Sequence, residues 1–269
     1  MYNGPDIIKF DTPEARLADL VLRRYGIVMR DRHTEKVCRA LRDRITRRGD
    51  LDISSYINAL DHGHSHEDDV HLVSQVTTNV TAFYREAHHF ENLRRHIGSL
   101  PRDRAVRCWS AGCSTGEEPW SLLSTIAPVL DDARRQHLLV LGTDIDAPSL
   151  TKARTAIYPR AALDDIPQVY RSQFEVGTET VQPREDLRPL MRIRALNLVN
   201  PFPFEARFDV IFCRNTLIYF EPEQREDVVN RLTARMRLGG LLMLGHSETL
   251  HNLPMGLEPV GLTTYQRVA

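Results

Sequence analysis

The chain has 269 residues, 42% of them hydrophobic and 26% charged, the proportions of a soluble globular protein rather than a disordered or fibrous one. Its 35 Lys and Arg balance 36 Asp and Glu for a formal net charge of -1, which argues against a uniformly basic nucleic-acid binder. No apolar run approaches the roughly 20 residues that cross a bilayer, and the first 20 residues have early acids and no apolar stretch of a secretory signal, so a cytoplasmic protein without membrane insertion is expected.

Residues 1–76 read as a small all-helical domain. Thr12-Pro13-Glu14 is a helix start, with Thr12 as cap and Pro13 at the first helical position. Leu17, Leu20, Val21 and Arg24 follow at helical spacing. A second helix is predicted from Asp31 to Arg48, stopped by Gly49, with Val37, Leu41 and Ile45 as its buried stripe. Ile53, Tyr56, Ile57 and Leu60 give a third. A polar break, Asp61-His62-Gly63-His64-Ser65-His66, precedes a fourth at Glu67–Val76. Between Arg23 and Arg48 stand ten basic residues and three acids, net +7. Arg32, Lys36, Arg39 and Arg47 share one face of the second helix, opposite its apolar stripe.

After residue 103 the pattern changes. Four apolar strands are expected at 106–111, 138–144, 208–213 and 239–245, separated by helices at 118–129, 149–156 and 223–237. Apolar strands alternating with helices imply a parallel sheet covered on both faces, a doubly wound α/β domain over residues 91–269. Residues 158–193, rich in Pro and charge, interrupt the alternation and read as a small inserted subdomain. Cys38, Cys108, Cys113 and Cys213 are widely spaced and form no CxxC pair, so neither a zinc site nor a disulfide framework is expected.

Four segments carry chemistry. Ala111-Gly112-Cys113-Ser114-Thr115-Gly116-Glu117-Glu118 turns from a strand into a helix, where glycines allow a ligand to approach the backbone. Ser114 replaces the second glycine of a dinucleotide fingerprint, which disfavours a dehydrogenase. Asp144 ends the next strand and can accept ribose hydroxyls. Asp146 can cap the following helix by itself. Together they imply a nucleoside-bearing cofactor, and S-adenosylmethionine fits better than NAD. Phe212–Phe220 follows the third strand and offers Asn215 and Tyr219. Residues 77–90, an expected interdomain linker, are dense in polar and aromatic groups. No metal site is expected. Adjacent His88 and His89 on a helix should point apart, and His62, His64 and His66 read as a solvated loop.

Taken together, NVTAFYREAHHF (79–90), AGCSTGEEPWSL (111–122), TDIDAPSLTKARTAIY (143–158), FDVIFCRNTLIYF (208–220) and GHSETL (245–250) resemble, in order, the motifs of the CheR family of chemotaxis methyltransferases. The resemblance implies a Rossmann-like S-adenosylmethionine-dependent methyltransferase domain that methylates glutamate side chains of chemoreceptors, leaving glutamyl methyl esters and S-adenosylhomocysteine. It implies that Asn79, Thr81 and Arg85 reach the cofactor, with Gly112 in the turn. Glu117 or Glu118 would meet its amino-acid end, Asp144 its ribose and Asn197-Leu198 its adenine, with Arg214-Asn215 closing the site. Arg85 and Tyr219 would lie nearest the transferred methyl. The helical domain would recognise the receptor through Arg32, Lys36, Arg39 and Arg47. Gly112-Cys113 departs from the alanine-rich turn common in the family, and the inserted subdomain is short at Gly177–Asn197. Nothing in the sequence demands more than a monomer. Two rival readings are an S-adenosylmethionine sensor that kept the fold and an RNA methyltransferase. Intact Arg85, Asn215 and Tyr219 oppose the first, and the lack of overall basicity opposes the second.

Overall fold

The computed structural model describes residues 12–48, 52–62, 66–250 and 252–269, without the side chains of Asp31, Arg47 and Arg48. The expectations for Gly49, His64 and the Arg47 side chain lie outside the described residues. The chain divides into two compact units, one reaching to Thr78 and the other Asn79–Ala269. Among the described residues no helix is long and apolar enough to cross a membrane.

The first unit is four helices: α1 Pro13–Tyr25, α2 Asp31–Arg48, α3 Ile53–Asp61 and α4 His66–Val76. Thr12 Oγ1 accepts from the Ala15 N–H at 3.2 Å, and Pro13 occupies the first turn. Asp52 caps α3 by accepting from the Ser55 N–H at 2.7 Å. Leu17, Leu20, Val21, Val37, Leu41, Ile45, Ile57, Leu60 and Leu72 are buried, so the expected stripes face one core. Acids on other helices offset part of the +7 of the linear window. Arg24 pairs with Asp69 at 2.6 Å, Arg42 with Glu14 at 2.5 Å, and Arg44 with Glu67 and Asp68 at 2.8 and 3.1 Å. Arg32, Lys36 and Arg39 are exposed on α2.

In the second unit the helices are α5 His88–Ser99, α6 Glu117–Ile126, α7 Asp132–Arg135, α8 Ala147–Thr155 and α9 Pro222–Ala234. The strands are β1 Arg107–Ala111, β2 Leu139–Asp144, β3 Tyr158–Pro159, β4 Phe174–Val176, β5 Thr180–Pro183, β6 Met191–Ala195, β7 Phe208–Cys213, β8 Met236–Leu244, β9 Leu257–Gly261 and β10 Thr264–Arg267. Seven of them form one sheet in the order β6-β2-β1-β7-β8-β10-β9. β6, β2, β1, β7 and β8 run parallel, and β10 is antiparallel to both of its neighbours. From β1 the chain builds outward through β2 to β6, then returns to add β7 and β8 on the other side. The order reverses between β1 and β7, and doubly wound sheets bind ligands at the carboxyl edge of such a point. Successive β7 residues face opposite layers. Val210 and Phe212 pack with Phe90, Trp120 and Val140, whereas Ile211 and Cys213 pack with Trp109, Leu217 and Leu232.

The fold is therefore doubly wound α/β with a preceding helical unit. The inserted subdomain is the small antiparallel sheet β3-β5-β4 with flanking 3-10 turns, ending at Leu190. The expected end at 193 is corrected, because Met191–Ala195 is a strand of the main sheet. Its apolar residues Met191 and Ile193 are buried, and Arg192 and Arg194 are exposed, so it lacks the continuous apolar run that marks the central strands.

Candidate functional site

The glycine turn is shaped by close approach. Gly112 has φ +87°, and a Cβ there would lie 2.1 Å from Thr216 Oγ1. The Gly112 and Cys113 N–H groups both donate to Thr143 O at 2.8 Å, clamping the turn to β2. Gly116 has φ +100° and leads into α6, with Ala153 so near that a Cβ would sit 2.7 Å from its Cα. Tyr158 closes this side by donating to Thr115 O at 3.0 Å.

At the end of β2, Asp144 accepts from the Ser114 N–H at 2.8 Å and the Asp146 N–H at 3.0 Å. One oxygen is used in each bond, so each keeps acceptor capacity. Burial pushes this carboxyl above its ordinary range, against the pull of those N–H donors. Asp146 caps α8 through the Ser149 N–H at 3.2 Å and also accepts from Asn79 Nδ2 at 2.8 Å. Capping thus falls to Asp146, and Asn79 stands beside the acid pair.

The segment after Asn79 is packed into this unit. Phe83 meets Tyr158 and Phe174 edge-on at 4.9 and 5.4 Å. The Tyr84 N–H donates to Ser121 Oγ at 3.1 Å, and its hydroxyl shares a 2.7 Å bond with Ser124 Oγ. Tyr84 and Glu86 both have positive φ, 51° and 58°, a conformation uncommon for residues with side chains. These flank Arg85, which is half-buried and donates to Val80 O at 3.2 Å. Thr81 is half-buried.

One guanidinium joins these parts. Arg214 is buried, donates from Nε to Glu118 Oε2 at 2.7 Å, and donates from Nη1 to Arg85 O. Its charge lies over the rings of Phe212 and Phe90, 5.1 and 5.5 Å from the centroids. Glu118 Oε1 accepts from Ser110 Oγ at 2.7 Å, so both Glu118 oxygens are engaged within the protein. Glu117 differs. Its Oε2 accepts from Thr115 Oγ1 at 2.6 Å, and burial raises its pKa.

The next loop was only partly legible. Asn215 has φ +56° and begins a turn running into the 3-10 stretch Leu217–Tyr219. Glu248 holds that turn. Its carboxylate accepts from the N–H groups of Asn215 at 2.6 Å, Gly245 at 2.8 Å, Leu217 at 2.7 Å and Ile218 at 3.3 Å. Burial raises its pKa, and the four donors oppose the rise. Its place in GHSETL was the available signal, but a carboxylate anchoring a distant turn has no spacing rule. Tyr219 is half-buried against the second core layer. After β6, Leu198 is buried beside Trp109, and Asn197 Oδ1 accepts from the Val199 N–H at 3.2 Å.

The histidines differ from expectation. The rings of His88 and His89 do not point apart but lie 4.0 Å apart, tilted by 45°. They open α5, whose cap Ala87 follows positive-φ Glu86. With Glu86 they could bring three ligand atoms within 4.8 Å of one another. Both His89 nitrogens are engaged, however, Nε2 with Thr263 Oγ1 at 3.0 Å and Nδ1 with Arg214 Nη1 at 3.4 Å. Burial, then the adjacent guanidinium, lowers the His89 pKa to about 3. A fixed cation at this distance opposes a metal ion. His62 Nδ1 lies 2.7 Å from Asn58 O, and His66 is exposed. All four cysteines are free and buried.

The carboxyl edge therefore collects Gly112, Glu117, Asp144, Asn197, Arg214, Asn215 and Tyr219 on successive strand ends, with Asn79 and Arg85 tied to it through Asp146 and Arg214. These residues fit S-adenosylmethionine. Gly112 keeps the first turn free of a side chain, Asp144 keeps acceptor capacity at the end of β2, and Glu117 stands at the opening of α6. The family described as CheR methyltransferase, SAM binding domain matches residues 79–266. The chemotaxis protein methyltransferase of Escherichia coli (strain K12) is 35% identical over 256 residues, 93% of this chain and 88% of that protein. Chemotaxis protein methyltransferase 2 of Pseudomonas aeruginosa is 36% identical over 204 residues, 72% of this chain and 71% of its own. Among solved structures, the CcbJ methyltransferase of Streptomyces caelestis is similar over 58% of this chain and 51% of that one, at 16% identity and TM-score 0.37. With 188 of its residues in the family match and these relatives spanning most of its length, the chain belongs to the CheR methyltransferase family and takes S-adenosylmethionine as its cofactor.

Proposed function

We propose that this chain methylates glutamate side chains on the cytoplasmic domains of chemotaxis receptors, producing glutamyl methyl esters. The observation that carries the reading is the buried Arg214, which bonds at once to Glu118 and to the main chain of Arg85. It fastens the Arg85 turn beside the loop that carries Asn215 and Tyr219. The names of the relatives in E. coli and P. aeruginosa support a place in chemotaxis.

A glutamate carboxyl has a reference pKa near 4.3, so at neutral pH it is already the nucleophile and needs no general base. S-adenosylmethionine, when bound, supplies the methyl group on a sulfonium cation. The protein's task is to align oxygen, carbon and sulfur, which proximity and orientation accomplish. Arg85 guides the incoming carboxylate and Tyr219 fixes its direction by a hydrogen bond. Asp144 and Asn79 hold the ribose end, Glu117 the amino-acid end, and Asn197 and Leu198 the adenine. Thr81, Arg214 and Asn215 complete the cofactor site, and Glu118 anchors Arg214. The helical domain, residues 1–76, takes the acidic receptor surface through Arg32, Lys36, Arg39 and Arg47, and the catalytic unit is 79–269. The enzyme acts in the cytoplasm as a monomer.

Incubation with labelled S-adenosylmethionine and receptor-bearing membranes tests this. Label on receptor that mild base releases supports ester formation. Base-stable label would place the methyl on nitrogen and sink the reading.

A further inference from the structure

Four arginines surround one cavity on the open edge of the main sheet. β6 is its terminal strand, with Arg192 and Arg194 exposed. Arg154 on α8 and Arg188 on the preceding 3-10 turn complete a cavity of about 180 Å3, otherwise lined by Trp120, Met191 and Ile193. Among the described residues no carboxylate lines it. The guanidiniums bond to main-chain carbonyls. Arg154 donates to Ile193 O at 3.4 Å, Arg188 to Thr155 O at 3.2 Å, Arg192 to Pro189 O and Met191 O at 2.8 Å, and Arg194 to Ile193 O at 2.9 Å. Glu185, 84% exposed, meets Arg188 at 3.1 Å.

Charged side chains along an open edge protect it from pairing with other chains, and that accounts for Arg192 and Arg194 on β6. It does not account for four arginines lining one cavity, with Glu185 as the one acid paired to any of them among the described residues. Carbonyls neutralise no charge, and each guanidinium has five donors, so most remain for an outside acceptor. Arginine forks match carboxylates in paired hydrogen bonds. A cavity this small takes an acid group, not a drug-sized ligand, whose pockets span about 300–1,000 Å3. The remainder of the ligand must lie outside, along the strand edge. β6 leads toward Asn197 at the carboxyl edge, and none of the residues lining the cavity is one assigned to the cofactor.

We propose that the Arg154, Arg188, Arg192 and Arg194 cavity docks a carboxylate of an extended acidic peptide segment. The proposal stands apart from the glutamate-methylation reading, because its test measures binding without methyl transfer. Fluorescein-labelled hexaglutamate is titrated with the full chain at constant ionic strength, with labelled hexaserine as control. Arg192→Ala/Arg194→Ala should raise the Kd about tenfold or more through lost charge-assisted bonds, while S-adenosylmethionine affinity stays unchanged. Arg192→Lys/Arg194→Lys should recover only part of it, since lysine lacks the fork. Arg32→Ala/Arg39→Ala should leave most of the affinity. Equal losses from both alanine pairs would mean diffuse attraction and overturn the docking site, as would equal binding of hexaserine. Inorganic phosphate that binds the cavity when hexaglutamate does not would also overturn it.

Discussion

Glu248→Gln separates a structural carboxylate from the chemistry it supports. Glu248 is 1% exposed and receives four main-chain N–H groups, two on each oxygen. Glutamine keeps the shape but turns one oxygen into an NH2 group, a donor facing two donors. Two buried N–H groups lose their acceptor at about 1–3 kcal/mol each, so the change should cost about 2–6 kcal/mol. Both tryptophans, Trp109 and Trp120, lie in the same unit, so their fluorescence reports its unfolding. Urea titration at neutral pH should show an earlier midpoint at unchanged slope. The released turn carries Asn215 and Tyr219, so S-adenosylmethionine affinity measured by calorimetry should fall as well. A midpoint loss worth under about 1 kcal/mol would show that the four bonds do not hold the turn.

Other perturbations follow from the same geometry. Gly112→Ala places a Cβ 2.1 Å from Thr216 Oγ1 and keeps a φ of +87°, so cofactor affinity should fall at least about tenfold; an unchanged calorimetric Kd would contradict the cradle. Tyr219→Phe should lower kcat on receptor while leaving cofactor affinity intact, and full kcat would remove the hydroxyl from the mechanism. Arg85→Ala should weaken both cofactor binding and rate, and no change in either would remove Arg85 from the site. His89, lowered from the usual 6.5 to about 3, is neutral in the fold where the unfolded chain is protonated. The unfolded state binds more protons between those values, so stability must fall as pH drops through that window. His89→Gln should flatten the fall in urea midpoint, and an unaltered slope would refute the assignment.

Much of this fold was legible because its central strands are buried on both faces. The apolar runs 138–141 and 210–213 leave little choice but a covered parallel sheet. The second helix was bounded correctly at Asp31–Arg48, where apolar period and charge agreed. β6 was missed because an edge strand with Arg192 and Arg194 outward resembles a charged loop. β9 was missed because Pro259 and Gly261 break its pattern, and β10 because it is only four residues long. The glycine turn and the position of Asp144 could be read because each directly follows an apolar strand. Glu248 and the double role of Arg214 could not, because they act across long sequence separations. The local +7 overstated the charge of the helical unit, since acids on other helices pair with Arg24, Arg42 and Arg44.

The central claim is the chemical identity of the product. Mass spectrometry of a receptor cytoplasmic fragment after incubation with the enzyme and S-adenosylmethionine tests it most directly. The account predicts one added methyl on glutamate residues, removed by mild base and absent with Arg85→Ala. Methyl groups confined to lysine, arginine or the chain terminus, and stable to base, would contradict it.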